Sequence, residues 1–105
     1  MIENDIDALI DEELKCFTHV HPIDVKCFIE HRIKPRAIQL CMDLEGKEWR
    51  ECYLITDHNN VEDSPYRAAF DPKYDQFVRE ITLEDGIPHY LGSYPNLESL
   101  VDEFA

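Results

Sequence analysis

The chain has 105 residues, 44% of them hydrophobic, which is enough for one core and too few for two. Its 23 acidic residues against 10 basic ones give a net charge of −13. So acidic a chain repels nucleic acid and anionic membranes, because phosphates bind clustered lysine and arginine. We therefore predict one domain over residues 1–105 that binds neither directly.

The chain also has features that predict a cytoplasmic location. No stretch approaches the roughly 18 consecutive apolar residues of a membrane helix. A secretory signal carries positive charge near the N-terminus, whereas this segment carries the acidic residues Glu3, Asp5 and Asp7. In a reducing compartment the four cysteines are expected to be free thiols, since disulfide frameworks serve small secreted domains.

The first predicted element is an amphipathic helix near the N-terminus. Asn4 or Asp5 is expected to cap it, and acidic residues fill its first turn, where the helix dipole favours them. Apolar residues recur along it at helical spacing. They are Ile2, Ile6, Leu9, Ile10, Leu14 and Phe17.

The second element, over residues 23–33, fits two templates. Val25, Phe28 and Ile29 suit the face of a helix, whereas alternate residues of the same segment suit a strand. We favour the helix, with Asp24 as its cap and Pro35 as the residue that ends it.

Residues 37–56 predict a β-hairpin whose register depends on its turn. With Gly46 and Lys47 as the central pair of a type II′ turn, Asp43 lies opposite Arg50 as a favourable charge pair. The same register gathers the apolar side chains on one face and places Trp49 in the core. Those side chains are Ile38, Leu40, Met42, Leu44, Trp49, Tyr53 and Ile55.

An acidic loop over residues 57–65 separates this hairpin from three further strands. The third strand begins at Tyr66 and turns at Asp71. Strands over residues 76–84 and 87–93 then flank Asp85-Gly86, which is a strong hairpin signal. In that register Pro88 faces Leu83, so the last strand is expected to be an edge near its start.

The chain ends in a short predicted helix capped by Asn96, with Leu97, Leu100, Val101 and Phe104 on one stripe. So short a helix must dock on the sheet to be stable. The predicted fold class is therefore α+β: a meander-like antiparallel sheet of about five strands, made of two β-hairpins plus one strand. The N-terminal and C-terminal helices pack on one face of it.

Two groups of side chains suggest chemistry. Cys16, His19, His21 and Cys27 are metal-ligand types, but their spacing matches no tetrahedral arrangement, so we favour ordinary packed and turn residues. The predicted hairpin register also places Cys41 opposite Cys52, close enough for a redox switch, although two small packed side chains are the simpler interpretation. We predict no cofactor, no metal and no catalytic residues.

The charge suggests a binding protein. Acidic faces attract basic proteins, and a few aromatic anchors supply most of the affinity at such interfaces. We therefore predict a small inhibitor or immunity-type protein that caps a basic partner, with Trp49 and Tyr74 as further candidate anchors. The predicted partner-binding residues are Asp7, Asp11, Glu12, Asp57, Glu62, Asp63, Tyr66, Asp102 and Glu103.

Three other functions stay open at this point. A DNA mimic would need acidic side chains spaced like duplex phosphates. A small metal-binding domain or a cysteine/histidine enzyme would use the cysteines and histidines named above. A homodimer would pair through the exposed edge of the last strand.

Overall fold

The computed structural model describes residues 2–43, 45–57, 66–83 and 86–103. The predictions that involve Leu44, residues 58–65, Asp85 and Phe104 lie outside these ranges. The described elements are α1 (Ile2–Lys15), α2 (Pro22–His31), β1 (Arg32–Cys41), β2 (Trp49–Thr56), β3 (Tyr66–Asp71), β4 (Gln76–Thr82), β5 (Pro88–Tyr94) and α3 (Leu97–Glu103).

The five strands form a closed barrel in which each strand pairs with the next along the chain. The α+β class, the five strands and the helices at both ends are confirmed. A purely antiparallel sheet is wrong, because β5 pairs with β1 in parallel, at Cys41 and His89. In a meander of five strands the first and last run the same way, so closure requires a parallel contact. The predicted edge at the start of β5 is wrong for the same reason.

The barrel wall is buried on both sides. Its inner side carries Leu40, Cys52, Ala69 and Val78. Its outer side packs against all three helices. That outer core includes Ile6, Ile10, Phe28, Tyr53, Ile55, Ala68, Phe70, Phe77, Leu97, Leu100 and Val101. Side chains of a strand alternate between the two sides, so strands buried on both faces need apolar residues in succession.

The first hairpin forms, but its predicted register is wrong by three residues. Cys41 pairs with Trp49, and Leu40 pairs with Arg50. An odd shift changes which residues of the two strands share a face. Leu40 therefore points into the barrel, whereas Trp49 lies outside and is 46% exposed instead of buried in the core. The predicted pair between Asp43 and Arg50 does not form.

The reason for the shift is the side chain of Asp43, which builds a longer loop than the predicted turn. Its Oδ1 accepts hydrogen bonds from the backbone N–H groups of Lys47 (2.9 Å) and Glu48 (3.2 Å). Desolvation opposes ionisation of this carboxyl, but the two N–H groups outweigh it and hold the pKa of Asp43 below its usual value. Gly46 takes a φ of 73° in this loop, a conformation that glycine adopts without strain.

The second hairpin keeps the predicted pairing at one end and loses it at the other. Phe77 lies opposite Tyr94, as predicted, but a β-bulge at Leu91 in β5, opposite the step from Arg79 to Glu80, shifts the remaining pairs by one residue. Pro88 therefore lies opposite Thr82, not Leu83. Bulges bend a strand and increase its twist, and closing a small barrel requires such bending.

The ends of α1 and α3 test two predicted caps. α1 begins at Ile2, so Asn4 and Asp5 lie inside the helix and the predicted cap is wrong. The α3 cap is confirmed, because Asn96 Oδ1 accepts a hydrogen bond from the Ser99 N–H at 2.8 Å.

None of the helices in the described ranges combines the length and the apolar character needed to cross a membrane.

α2 confirms the choice of a helix over a strand, but both of its predicted boundaries are wrong. His21 caps it instead of Asp24, and its Nδ1 accepts a hydrogen bond from the Ile23 N–H at 3.1 Å. Pro22 occupies the first turn, where a missing N–H costs little. Pro35 does not end the helix; it lies within β1, at an irregularity in the pairing with β2.

Candidate functional site

Two clusters of charged side chains occupy the barrel interior, and the first surrounds Asp71. The Asp71 side chain is fully buried and accepts hydrogen bonds from Arg50 Nη1 and from the Tyr90 hydroxyl, both at 3.2 Å. The guanidinium of Arg50 also lies 4.6 Å from the centre of the Tyr74 ring. Asp71 is therefore fully partnered inside the fold.

The second cluster surrounds Glu80, whose side chain is also fully buried. Arg67 donates to it in a bidentate arrangement, from Nε at 3.1 Å and from Nη2 at 2.8 Å. The Thr82 hydroxyl donates a third hydrogen bond at 2.7 Å, and Asp57 contacts the other side of the guanidinium at 3.4 Å. Such paired and hydrogen-bonded charges hold a fold together and leave no group free for a ligand.

The tip of the β1–β2 hairpin and the β3–β4 turn lie at the same end of the barrel, and each exposes an aromatic ring. Trp49 is 46% exposed and Tyr74 is 54% exposed. The Trp49 indole N–H donates to the carbonyl oxygen of Gly46 at 3.0 Å. Tyr74 is held by Arg50 and by Lys73, whose Nζ lies 5.6 Å from the ring centre. Both rings are thus fixed in place before any partner arrives.

Exposed carboxylates surround these rings. Glu45 pairs with Lys47 at 3.0 Å, and Glu51 accepts a hydrogen bond from Gln39 at 3.3 Å. Burial first, and then the charges of Glu51 and Glu3, raise the pKa of Tyr53. We call this surface the aromatic end. It consists of Trp49, Tyr74, Glu45, Glu48, Glu51 and Asp75.

The predicted partner-binding acids on α1, and Asp57 directly after β2, lie in a different environment, where arginines already bind them. Arg32 contacts Asp7 at 3.3 Å and Asp11 at 2.8 Å. Asp57 accepts from Arg36 at 3.3 Å, in addition to its contact with the second interior cluster. These three carboxylates are largely neutralised within the chain, which weakens the field they present to a partner.

The other predicted partner-binding residues are scattered. Glu12 is exposed on α1, Asp102 is exposed on α3, and Tyr66 lies beneath the guanidinium of Arg79 at 4.9 Å. These three residues lie on different elements. Glu62 and Asp63, with the side chain of Glu103, lie outside the described residues.

The predicted metal-ligand types do not converge. His21 caps α2, His19 lies 3.4 Å from Glu98, and Cys16 and Cys27 are exposed on separate elements. Among the residues that the structure describes, no group of three or more histidines, cysteines or acids is arranged to hold a metal ion.

The predicted cysteine pair is wrong. Cys41 lies opposite Trp49 and Cys52 lies opposite Ile38, on different sides of the barrel wall. Burial, followed by the charge of Asp71, raises the pKa of Cys52 to about 12. A thiol with so high a pKa is not a nucleophile at neutral pH, because the thiolate is the reactive form.

This placement predicts the reactivity of the four thiols. We expect iodoacetamide at about pH 8 to modify Cys16 and Cys27 in the folded protein, whereas Cys41 and Cys52 react only after unfolding. Intact mass and peptide mapping, with a urea-unfolded sample as control, measure this. Rapid labelling of Cys52, or an oxidised peptide that links Cys41 to Cys52, would contradict the observed register.

The sequence prediction missed the carboxylates of the aromatic end. Glu48 and Glu51 flank Trp49 in the sequence, and an aromatic residue between acids was an available signal. The wrong register hid that signal, because it placed Trp49 inside the sheet.

A scan of protein-family models, a search of curated proteins and a search of solved structures each found no match to this chain. The function is therefore inferred from the geometry of its own residues.

Proposed function

We propose that this protein is a small binding domain that docks a basic partner protein through the aromatic end. The observation that carries the proposal is the exposure of two fixed aromatic rings, Trp49 and Tyr74, at one end of the barrel. Tryptophan and tyrosine are enriched among residues that dominate binding energy. A ring already held in position loses little conformational entropy on binding.

Charge supports a basic partner. The chain carries a net charge of −13, and exposed Glu45, Glu48 and Glu51 lie beside the rings. Carboxylates at the rim of an interface accelerate association with a basic surface and repel acidic proteins. The aromatic rings then supply the binding energy after the encounter. The carboxylates therefore act on the rate of association, and the rings act on the affinity.

The aromatic end fits this role better than the acids of α1 and Asp57. Asp7, Asp11 and Asp57 already bind arginines of the same chain. A partner would have to displace those arginines and would gain only the difference between two similar ion pairs. Among the described residues, the carboxylates of the aromatic end have no arginine partner, and Glu45 alone has a lysine partner, the exposed Lys47.

Capture of a partner tests the proposal. The tagged protein is incubated with a lysate of its source cells, and retained proteins are identified by mass spectrometry at low salt and at about 0.5 M salt. We expect one basic protein that is lost as salt rises. With that protein purified, Trp49→Ala should weaken binding at least about 30-fold, which corresponds to about 2 kcal/mol for an aromatic anchor.

Ile23→Ala is the control, since Ile23 is 69% exposed and lies on α2, outside the aromatic end. It should leave binding unchanged. Glu48→Gln should mainly slow association, because rim charges act on the rate of encounter. The proposal fails if Trp49→Ala and Ile23→Ala bind the captured protein equally well, or if no basic protein is retained.

A further inference from the structure

α2 shows an apolar surface that nothing in the fold covers. Phe28 is the buried residue of this helix, whereas Ile23 is 69% exposed and Ile29 is 53% exposed. A groove of about 590 Å³ runs along the helix. Its apolar lining is Phe17, Val20, Pro22, Val25 and Ile29, and Lys26 and Glu30 lie at its rim. Exposed apolar surface with a charged rim is typical of an interaction site.

The rim charges are complementary to themselves. Lys26 and Glu30 lie one turn apart on the same flank of α2, 3.9 Å from each other, and both are more than half exposed. When two identical helices pack antiparallel around a twofold axis, the same flank of each helix meets the other. Lys26 then exchanges its exposed pair with Glu30 of the same helix for Glu30 of the second copy, and the reciprocal pair forms on the other side of the axis.

The same arrangement buries the apolar residues. When Lys26 lies opposite Glu30 of the second copy, the twofold axis crosses α2 at the level of residue 28, midway between them. The two Ile29 side chains therefore meet near the centre of the contact. Val25 lies one turn away on the same face and packs against Ile29 of the second copy. Apolar residues in the middle and charges at the side form the usual anatomy of a helix pair.

The charge of the region selects a second copy over a basic partner. α2 itself is nearly neutral, with one base, Lys26, against two acids, Asp24 and Glu30, whereas the whole chain has a net charge of −13. Two copies therefore repel each other least where their α2 helices approach. A basic protein is favoured by the rest of the surface and not by this segment.

We propose that a second copy of this chain covers the groove, with the two α2 helices packed antiparallel and linked by reciprocal Lys26–Glu30 ion pairs.

Charge variants test this pairing. Analytical ultracentrifugation of the wild-type chain should show a monomer–dimer equilibrium. Lys26→Glu alone and Glu30→Lys alone place like charges opposite each other, so each should weaken the dimer about tenfold or more. An equal mixture of the two variants should regain it, because each heterodimer again pairs opposite charges. Circular dichroism checks that both exposed-site variants fold.

Three outcomes would overturn the proposal. The first is a wild-type chain that stays monomeric up to about 1 mM, because even weak pairing appears at that concentration. A dimer that both variants leave unchanged, or that the mixture does not restore, pairs elsewhere, for example through β5. The third outcome is a monomeric wild-type chain that captures a different protein, together with an Ile29→Asp variant that no longer captures it. In that case the groove binds that other protein and not a second copy. Trp49→Ala should leave the dimer intact, which separates this test from that of the aromatic end.

Discussion

Replacing Arg67 by methionine is expected to lower the free energy of unfolding by about 3–5 kcal/mol, because it leaves a buried carboxylate without its cation. Glu80 is fully buried and takes two hydrogen bonds from Arg67. Hydrogen bonding to Glu80, opposed by desolvation, raises the pKa of Arg67, so the guanidinium does not lose its proton near neutral pH. Urea unfolding followed by circular dichroism measures the loss.

Two controls separate the buried pair from charge in general. Arg67→Met combined with Glu80→Leu removes both charges and should recover most of the stability, since apolar replacement of a buried pair is often close to neutral. Lys15→Met breaks the exposed contact with Glu12 and should cost less than about 1 kcal/mol. If Arg67→Met costs no more than Lys15→Met, the interior cluster does not stabilise the barrel.

Replacing Ile10 by alanine is expected to cost about 2–5 kcal/mol, the range found when a large aliphatic side chain is removed from a packed core. Ile10 is fully buried, in the cluster that joins α1 to the outer side of the barrel and to α3. Neighbouring side chains relax only partly into the space, so lost packing adds to lost transfer energy. The same urea experiment measures this change.

Ile2→Ala makes the same chemical change on the same helix at a residue that is 39% exposed. It should cost less than about 1 kcal/mol, because no closed cavity forms. Equal losses at the two positions would mean that α1 is not docked on the barrel as described. A larger loss at Ile10 supports α1 as part of the core and not as an accessory helix.

The two proposals act on different surfaces and combine without conflict. The groove lies on α2, and the aromatic end lies at the tip of the β1–β2 hairpin and the β3–β4 turn. A symmetric dimer therefore carries two aromatic ends. Two linked sites bind a partner with repeated basic surfaces more tightly than either site alone.

Local patterns in the sequence were enough to predict which segments become helices and strands. Helical spacing identified α1 and α3, and alternation identified the strands of both hairpins, because each pattern depends only on near neighbours in the chain. The Asn96 cap was predicted for the same reason. The excess of negative charge follows from composition, and Tyr74 and Trp49 were candidate anchors, although the predicted register placed Trp49 in the core.

Contacts between distant residues were beyond local patterns. The barrel closes where Cys41 meets His89, and nothing near either residue indicates that pairing. Arg67 and Glu80 lie in neighbouring strands, and the two neutralise each other in the barrel interior.

The sequence by itself therefore determined the elements, their order and the excess of negative charge. Only the tertiary structure decided the register of the first hairpin, and with it the exposure of Trp49. The physical reason is that one side chain, Asp43, stabilises a longer loop through two backbone N–H groups. A shift of three residues changes which side of the strand faces the core, so the position of the candidate site depended on that carboxylate.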